Sequence, residues 1–399
     1  MAPVSVKDAL DRAVQGLAPL DVERVPVPQA AGRVLAADLV ATLTQPPFDA
    51  SAMDGYAVRA TDVATLPRTL SLVGRSVAGA RYDGLLMPGE AVRIFTGAPV
   101  PEGADTIVIQ EDTEERGESV LIKGSQPEPY IRPRGQDFKE GDKLLTAGTR
   151  LGARVLMLAA AMNYAELPVR KRPRVAVLST GDELREPGSH LDPDEIVASV
   201  SFGIAALIEA SGGEPINLGI AADDERALAD AIAQGANADI LVTIGGASVG
   251  ERDLVHGALT QAGLQLDFAK VAMRPGKPTF AGRLGSTRVL GLPGNPVSGL
   301  VCAIVFLRPM LRALLGEAGE DVTQVARLGK PMGKCNWRQT YHRATSVVAE
   351  DGTRTVWPLP SQDSSLMSAL TRADCLIVQP PNSPAVPEGE IVNVLPLPV

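Results

Sequence analysis

Short apolar runs separated by glycine-bearing turns dominate the second half of this chain. Val175–Leu178, Asp239–Ile244 and Arg288–Leu292 each lead into such a turn: Leu178-Ser-Thr-Gly-Asp-Glu183, Ile244-Gly-Gly-Ala-Ser-Val-Gly250 and Gly291-Leu-Pro-Gly-Asn-Pro296. Runs this short read as buried strands, and helix-like segments between them predict parallel βαβ units. The helices are expected at Phe202–Ala210, at Asp224–Gln234 with Asp223 as candidate cap, at Asp253–Gln261, and at Val297–Leu315 behind Pro296. In an open α/β sheet the loops beyond the strand ends converge on one crevice. Glycines there let the backbone approach an anionic ligand and aim N–H groups at it.

The first half follows other periods. Val6, Leu10, Val14 and Leu17 recur at helical spacing over residues 5–17, with Ser5 as N-cap, which predicts an amphipathic helix able to pack as a bundle or dimer element. Short strands and prolines follow from Val22 to Pro47. Thr69–Val73, Ala91–Phe95, Thr106–Gln110 and Val120–Lys123 alternate with Gly and Pro, as in a small barrel or sandwich. An apolar helix is expected at Leu151–Ala161, and the proline-basic run Leu167–Pro173 marks a domain boundary. Beyond about residue 322 the runs Thr345–Val348, Arg354–Trp357, Cys375–Val378 and Ile391–Leu395 predict a second small β-domain.

With 399 residues the chain exceeds one ordinary core, so two to four domains are expected. The net charge of −9 argues against nucleic acid as the main partner, while leaving room for a local basic pocket. Cys302, Cys335 and Cys375 are scattered, as are His190, His256 and His342, so the pattern suggests no disulfide framework, closed zinc site or serine triad. No apolar leader opens the chain and no run of about 18 apolar residues occurs, so a cytoplasmic protein without membrane partners is expected.

Candidate chemistry gathers at the turns. Asp182 and Glu183, beside the Thr180 hydroxyl and Gly181, either cap a helix or hold magnesium. Gly245, Gly246, Ser248 and Gly250 offer backbone N–H groups, and Asp253 either caps the next helix or binds metal. Lys270, Arg274 and Lys277 supply cations, the last two on the stiff Met273-Arg-Pro-Gly-Lys-Pro278 loop that suits an anion. Pro293, Gly294, Asn295 and Pro296 open a helix whose free N–H groups can face an anion. Upstream, Asp54 and Gly55 lie in the small-residue stretch Phe48–Ala57, and Thr96 and Asp137 in comparable loops.

Together these strings resemble the molybdopterin molybdenumtransferase family, the bacterial MoeA proteins and the gephyrin E domain. The matching segments are Ser51–Ala57, Thr96–Asp105, Arg134–Asp137, Ser179–Leu184, Gly245–Gly250, Pro275–Pro278 and Leu292–Ser298, in order over nearly the whole chain. The resemblance implies an α/β plus β multidomain fold. A linker and dimerisation domain (1–47 with 139–171) would carry an inserted β-rich domain (48–138), followed by a doubly wound, MogA-like molybdopterin-binding domain (172–319) and a barrel-like C-terminal domain (320–399). It further implies a homodimer whose active sites lie between the α/β domain of one subunit and the β-rich domain of the other. There, magnesium-dependent insertion of molybdate into adenylylated molybdopterin would release AMP and molybdenum cofactor.

In that scheme Asp54, Thr96, Asp137, Glu183, Lys270, Arg274 and Lys277 are catalytic, with Asp182, Glu183 and Asp253 on the metal. Thr180, Gly181, Gly245, Gly246, Ser248, Gly250, Pro293, Gly294, Asn295 and Pro296, with Arg338 and Ser364, bind the pterin. The adenylyltransferase that makes the substrate, and molybdoenzymes or their chaperones, are the implied partners. Two departures stand out. The family's Asp-Ser/Thr-Asn run is Ala198-Ser199-Val200 here, and a usual Gly-Arg strand start is Trp337-Arg338, where Arg343 also remains available. A non-catalytic pterin-binding scaffold and a molybdopterin adenylyltransferase stay as alternatives.

Overall fold

The computed structural model describes residues 2–246, 254–319 and 323–397. Its α/β domain is built on a six-stranded sheet in the order Glu214–Ala221, Arg174–Thr180, Ile240–Ile244, Thr287–Leu292, Phe280–Leu284, Gln265–Phe268. The first four strands are parallel, and Phe280–Leu284 runs against both of its neighbours. Successive residues of Arg174–Thr180 feed opposite faces. Val175 and Val177 join Ile204, Leu207 and the long helical stretch from Pro296 to Leu315 on one side, whereas Ala176 and Leu178 join Leu228, Ile232 and Leu259 on the other. The sheet is therefore doubly wound. From Arg174–Thr180 the chain first steps to Glu214–Ala221 on one flank and then to Ile240–Ile244 on the other, which makes the gap beyond Thr180 and Ile244 the topological switch point.

The amphipathic N-terminal helix spans Val6–Val14, with Ser5 Oγ accepting the Asp8 N–H at 3.0 Å. Its apolar face is consumed within the chain: Val6, Ala9 and Ala13 enter the α/β core, and Arg12 donates to Asp267 O at 3.0 Å. Glu166–Arg170 is a strand paired with Val22–Pro26, so the boundary run read from its prolines and basic residues shrinks to the few residues before Arg174. Leu39–Val40 pairs likewise with Lys143–Leu145, and Leu35, Phe138, Leu151 and Leu167 share one core. Two distant stretches thus form one unit around an inserted β-rich segment.

That segment forms a six-stranded sheet, Thr106–Ile109, Gly55–Val58, Glu90–Ile94, Arg68–Ser76, Ser119–Ile122, Thr113–Arg116. Gly55 opens an interior strand, where a Cβ would overlap the carbonyl of Val108; close backbone approach, and not a free turn, explains this glycine. In the C-terminal region Gln339–Val348, Arg354–Pro358, Gln324–Leu328, Ile391–Pro396 and Cys375–Gln379 close into a barrel, the last strand pairing back onto the first. Met273–Arg274 of the α/β domain adds to this barrel in parallel with Gln339–Thr340. Among the described residues one helical stretch, Pro296–Leu315, is long and apolar enough to cross a membrane, and it lies mostly buried in the α/β core.

Candidate functional site

A cleft of about 770 Å³ opens at the carboxyl ends of the parallel strands, floored by Thr180, Gly181, Gly245, Gly246 and Gly294. Thr180 Oγ1 donates to Ile244 O at 3.3 Å and ties the first turn to the second. Gly245 has φ +94°, and a Cβ there would come within 2.6 Å of Thr180 O, so this approach of two strand ends demands glycine. Pro293, Asn295 and Pro296 complete the floor from the third turn. The start of the helix Pro296–Cys302 offers fewer donors than its sequence suggests. Pro296 has no N–H, and the Val297 N–H is taken by Ser364 O at 3.1 Å, because the C-terminal domain lays a loop over this helix end.

Three carboxylates meet at one rim. Asp182 Oδ1 accepts the Asp223 N–H at 2.9 Å, while Glu183 and Asp223 line the cleft. Burial first, and then the charges of Asp182 and Glu183, push the Asp223 carboxyl above the usual carboxylate range. The helix Glu225–Gly235 is capped by Asp224, whose Oδ1 accepts from Arg226 and Ala227 N–H at 3.0 Å each. Asp223, expected as the cap, is thereby released to face the cleft. It is the site candidate that sequence reasoning missed; the available signal was the Asp-Asp pair, of which only one member can cap.

The opposite wall is apolar. Ile196, Val197, Ala198, Ser199 and Val200 line it, and Met367 joins from the C-terminal domain. Ser199 begins the helix Val200–Ala210 with helical backbone angles and no side-chain capping bond; its Oγ meets Met367 Sδ at 3.3 Å. Val200 Cγ1 lies 2.9 Å from where a Cβ on Gly299 would stand, so this run packs two helices together.

Arg274 and Lys277 are exposed and Lys270 is half-buried. Their loop folds back through Val271 N–H to Lys277 O at 3.0 Å and Thr279 Oγ1 to Gly276 O at 2.8 Å, and its Pro278 touches the cleft. In the C-terminal domain Ser364 contributes its carbonyl, as above, while its neighbour Ser365 lines the cleft. Arg338 lies 5.5 Å from the Trp337 ring centroid. Arg343 is buried and spent: its guanidinium donates to the carbonyls of Ser361, Asp363 and Leu366 at 2.9–3.2 Å, so it shapes the loop instead of remaining available to a ligand.

Asp54 and Thr96 meet on the β-rich sheet, and Asp137 lines a separate cleft of about 570 Å³ with Phe48, Gly97, Arg132 and Gln136. None of Asp54, Thr96 and Asp137 is among the residues that line the glycine-turn cleft. Ser248, Gly250 and Asp253 lie outside the described residues. Among the described residues no group of three or more His, Cys, Asp or Glu side chains is arranged to hold a metal ion.

The chain matches known proteins over nearly its whole length. The MoeA N-terminal region (domains I and II) matches residues 4–163, a probable molybdopterin-binding domain residues 176–313, and the MoeA C-terminal region (domain IV) residues 325–397. Molybdopterin molybdenumtransferase of Nostoc sp. is 37% identical over 95% of this chain and 89% of its own length. That of Haemophilus influenzae is 35% identical over 95% and 94%. The solved structure of a molybdopterin biosynthesis MoeA protein from Pyrococcus horikosii superposes with a TM-score of 0.82 at 30% identity, covering 99% of each chain. Shared identity at this level over all domains, on one common architecture, makes this chain a member of the MoeA family of molybdopterin molybdenumtransferases, enzymes of molybdenum cofactor biosynthesis.

Proposed function

We propose that this enzyme inserts molybdate, its inorganic substrate, into adenylylated molybdopterin and releases AMP, in the cytoplasm and as a homodimer. The observation that carries this reading is the pairing of a glycine-floored cleft with a rim of three carboxylates and an adjoining loop of exposed cations. The N–H groups of Gly181 and Gly245 donate to Ala221 O at 3.4 Å and Leu292 O at 3.1 Å, so these two glycines give the anionic part of the pterin nucleotide room and not donors; the Gly246 N–H receives it, and Lys270, Arg274 and Lys277, with Arg338 and Ser364, hold phosphate and molybdate oxygens. Asp223, with its raised carboxyl, holds or yields a proton at the rim.

The donor chemistry there fits magnesium. Asp182 and Glu183 put negative charge and oxygen donors at the rim, enough to raise the neighbouring Asp223 carboxyl; the described residues alone do not make a closed metal site, and few protein ligands suffice because magnesium keeps waters and substrate phosphates. Glu183, Asp182 and Asp253 would hold it, and when bound it supplies charge neutralisation at the scissile pyrophosphate. Asp54, Thr96 and Asp137 are not among the residues lining the glycine cleft of their own chain, so we assign them to the active site of the partner subunit, approaching its cleft from outside. A monomer would then be inactive.

A second reading, a pterin-holding scaffold, draws on Ala198-Ser199-Val200, where apolar packing stands on the cleft wall. Anaerobic incubation with adenylylated molybdopterin and magnesium, with and without molybdate, separates the two. Molybdate-dependent AMP release with cofactor formation supports the insertase. Tight pterin binding without AMP release sinks it and leaves the scaffold.

A further inference from the structure

The joint between the α/β domain and the C-terminal barrel sets an aromatic ring beside the basic loop. Met273 and Arg274 run parallel to Gln339 and Thr340, and Gln339 N–H donates to Ala272 O at 2.9 Å. Trp337 and Arg338 immediately precede that paired segment, so in this parallel register they continue towards Ala272 and Val271, and the Val271 N–H donates to Lys277 O at 3.0 Å, where the basic loop folds back. Trp337 is 47% exposed although it is one of only two tryptophans in the chain. The chain on either side of it is held: Asn336 Oδ1 accepts the Arg338 N–H at 3.0 Å, and Asn336 O accepts the Asn382 N–H at 2.7 Å. The Arg338 guanidinium sits 5.5 Å from the indole centroid, and its buried Nε has no hydrogen-bond partner among the described residues.

A half-exposed ring with Arg338 at 5.5 Å, near the return of a basic loop, suits a ligand that is planar at one end and anionic at the other. An apolar ligand gains nothing from the three charges, and a simple anion gains nothing from the indole. We propose that Trp337 is the stacking surface for the planar ring system of the pterin substrate, which Arg338 and the Arg274–Lys277 loop engage through its anionic groups. This inference rests on the pterin-binding reading above.

Calorimetric titration with 6-hydroxymethylpterin monophosphate, and separately with pyrophosphate, tests it on the full chain and on Trp337→Ala and Trp337→Phe. Stacking on an aromatic side chain is worth a factor of about ten in affinity. The expected result is a roughly tenfold weaker pterin phosphate in Trp337→Ala, restored by Trp337→Phe, with pyrophosphate unchanged. Equal weakening of both ligands would show that Trp337 merely supports Arg338 and would overturn the proposal, as would unchanged pterin affinity in Trp337→Ala. Failure of the unaltered chain to bind the pterin phosphate overturns the pterin reading along with it.

Discussion

Thr96 gives Asp54 two hydrogen bonds on one oxygen: its backbone N–H and its hydroxyl both reach Asp54 Oδ1 at 2.8 Å. The N–H foremost, and then the hydroxyl, hold the Asp54 carboxyl below the usual range. Thr96→Val keeps the first bond and removes the second. The Asp54 carboxyl then moves up, and the acid limb of the pH–rate profile moves up with it, with kcat reduced about tenfold to a hundredfold. Thr96→Ser retains the parental profile. An unmoved acid limb in Thr96→Val excludes Asp54 as the titrating group.

Asp223 carries the opposite shift. Its carboxyl is raised in the folded chain, so the folded state binds the proton more tightly than the unfolded one, and stability falls as pH rises from the ordinary carboxylate range through the raised value. Asp223→Asn removes that penalty. Thermal unfolding should give a higher Tm for the variant at pH 7.5 and no difference below the ordinary Asp range. Magnesium should raise the Tm of the parent more than that of the variant, since a cation bound to the folded state stabilises it by mass action. Equal responses to magnesium would remove Asp223 from any metal site.

Gly55→Ala tests the close approach inside the β-rich sheet. A methyl group would meet the Val108 carbonyl within the sheet, with backbone and not a movable side chain as the obstacle. Overpacking of this kind costs about 1–3 kcal/mol or more. Urea unfolding should show a lower midpoint; an unchanged midpoint would place Gly55 at an open turn.

Arg150 grips Glu317 with two parallel bonds, Nε to Oε1 at 2.8 Å and Nη2 to Oε2 at 2.7 Å, and donates as well to Gly32 O and Ser211 O. Burial pushes the Glu317 carboxyl up, but Arg150, Arg312 and Arg308 outweigh it and hold the group below its ordinary range. That contribution is present above the unfolded pKa and is lost as pH falls through the folded one. Glu317→Gln leaves a half-buried guanidinium underpaired and should cost about 2–3 kcal/mol at pH 7. The difference from the parent should vanish in acid, read by urea unfolding at each pH.

Much of the architecture was legible in the alternation of residues, and its gaps have physical causes. Val175, Val177 and Leu178 announce a buried strand because each of its faces is covered by helices. Glu214–Ala221, on the outer flank of the same sheet, is broken by Pro215, Asn217 and Gly219 and carries no such run. Arg343 reads as a solvated charge, yet it is 1% exposed, since three loop carbonyls replace its water. Asp223 and Asp224 are identical neighbours, and only the helix start decides which one caps.

The order of glycine turns behind apolar strands determined the doubly wound domain, because strand, turn and helix preferences are local and repeat along the chain. The homology of the strings determined the family. Tertiary structure decided what no local pattern encodes: that the N-terminal helix closes the α/β core, that Met273–Arg274 joins the barrel, and that Asp54 and Thr96 are not among the residues lining the glycine cleft of their own chain. Each depends on contacts between residues far apart in sequence, where packing and strand pairing, and not propensity, choose the partner.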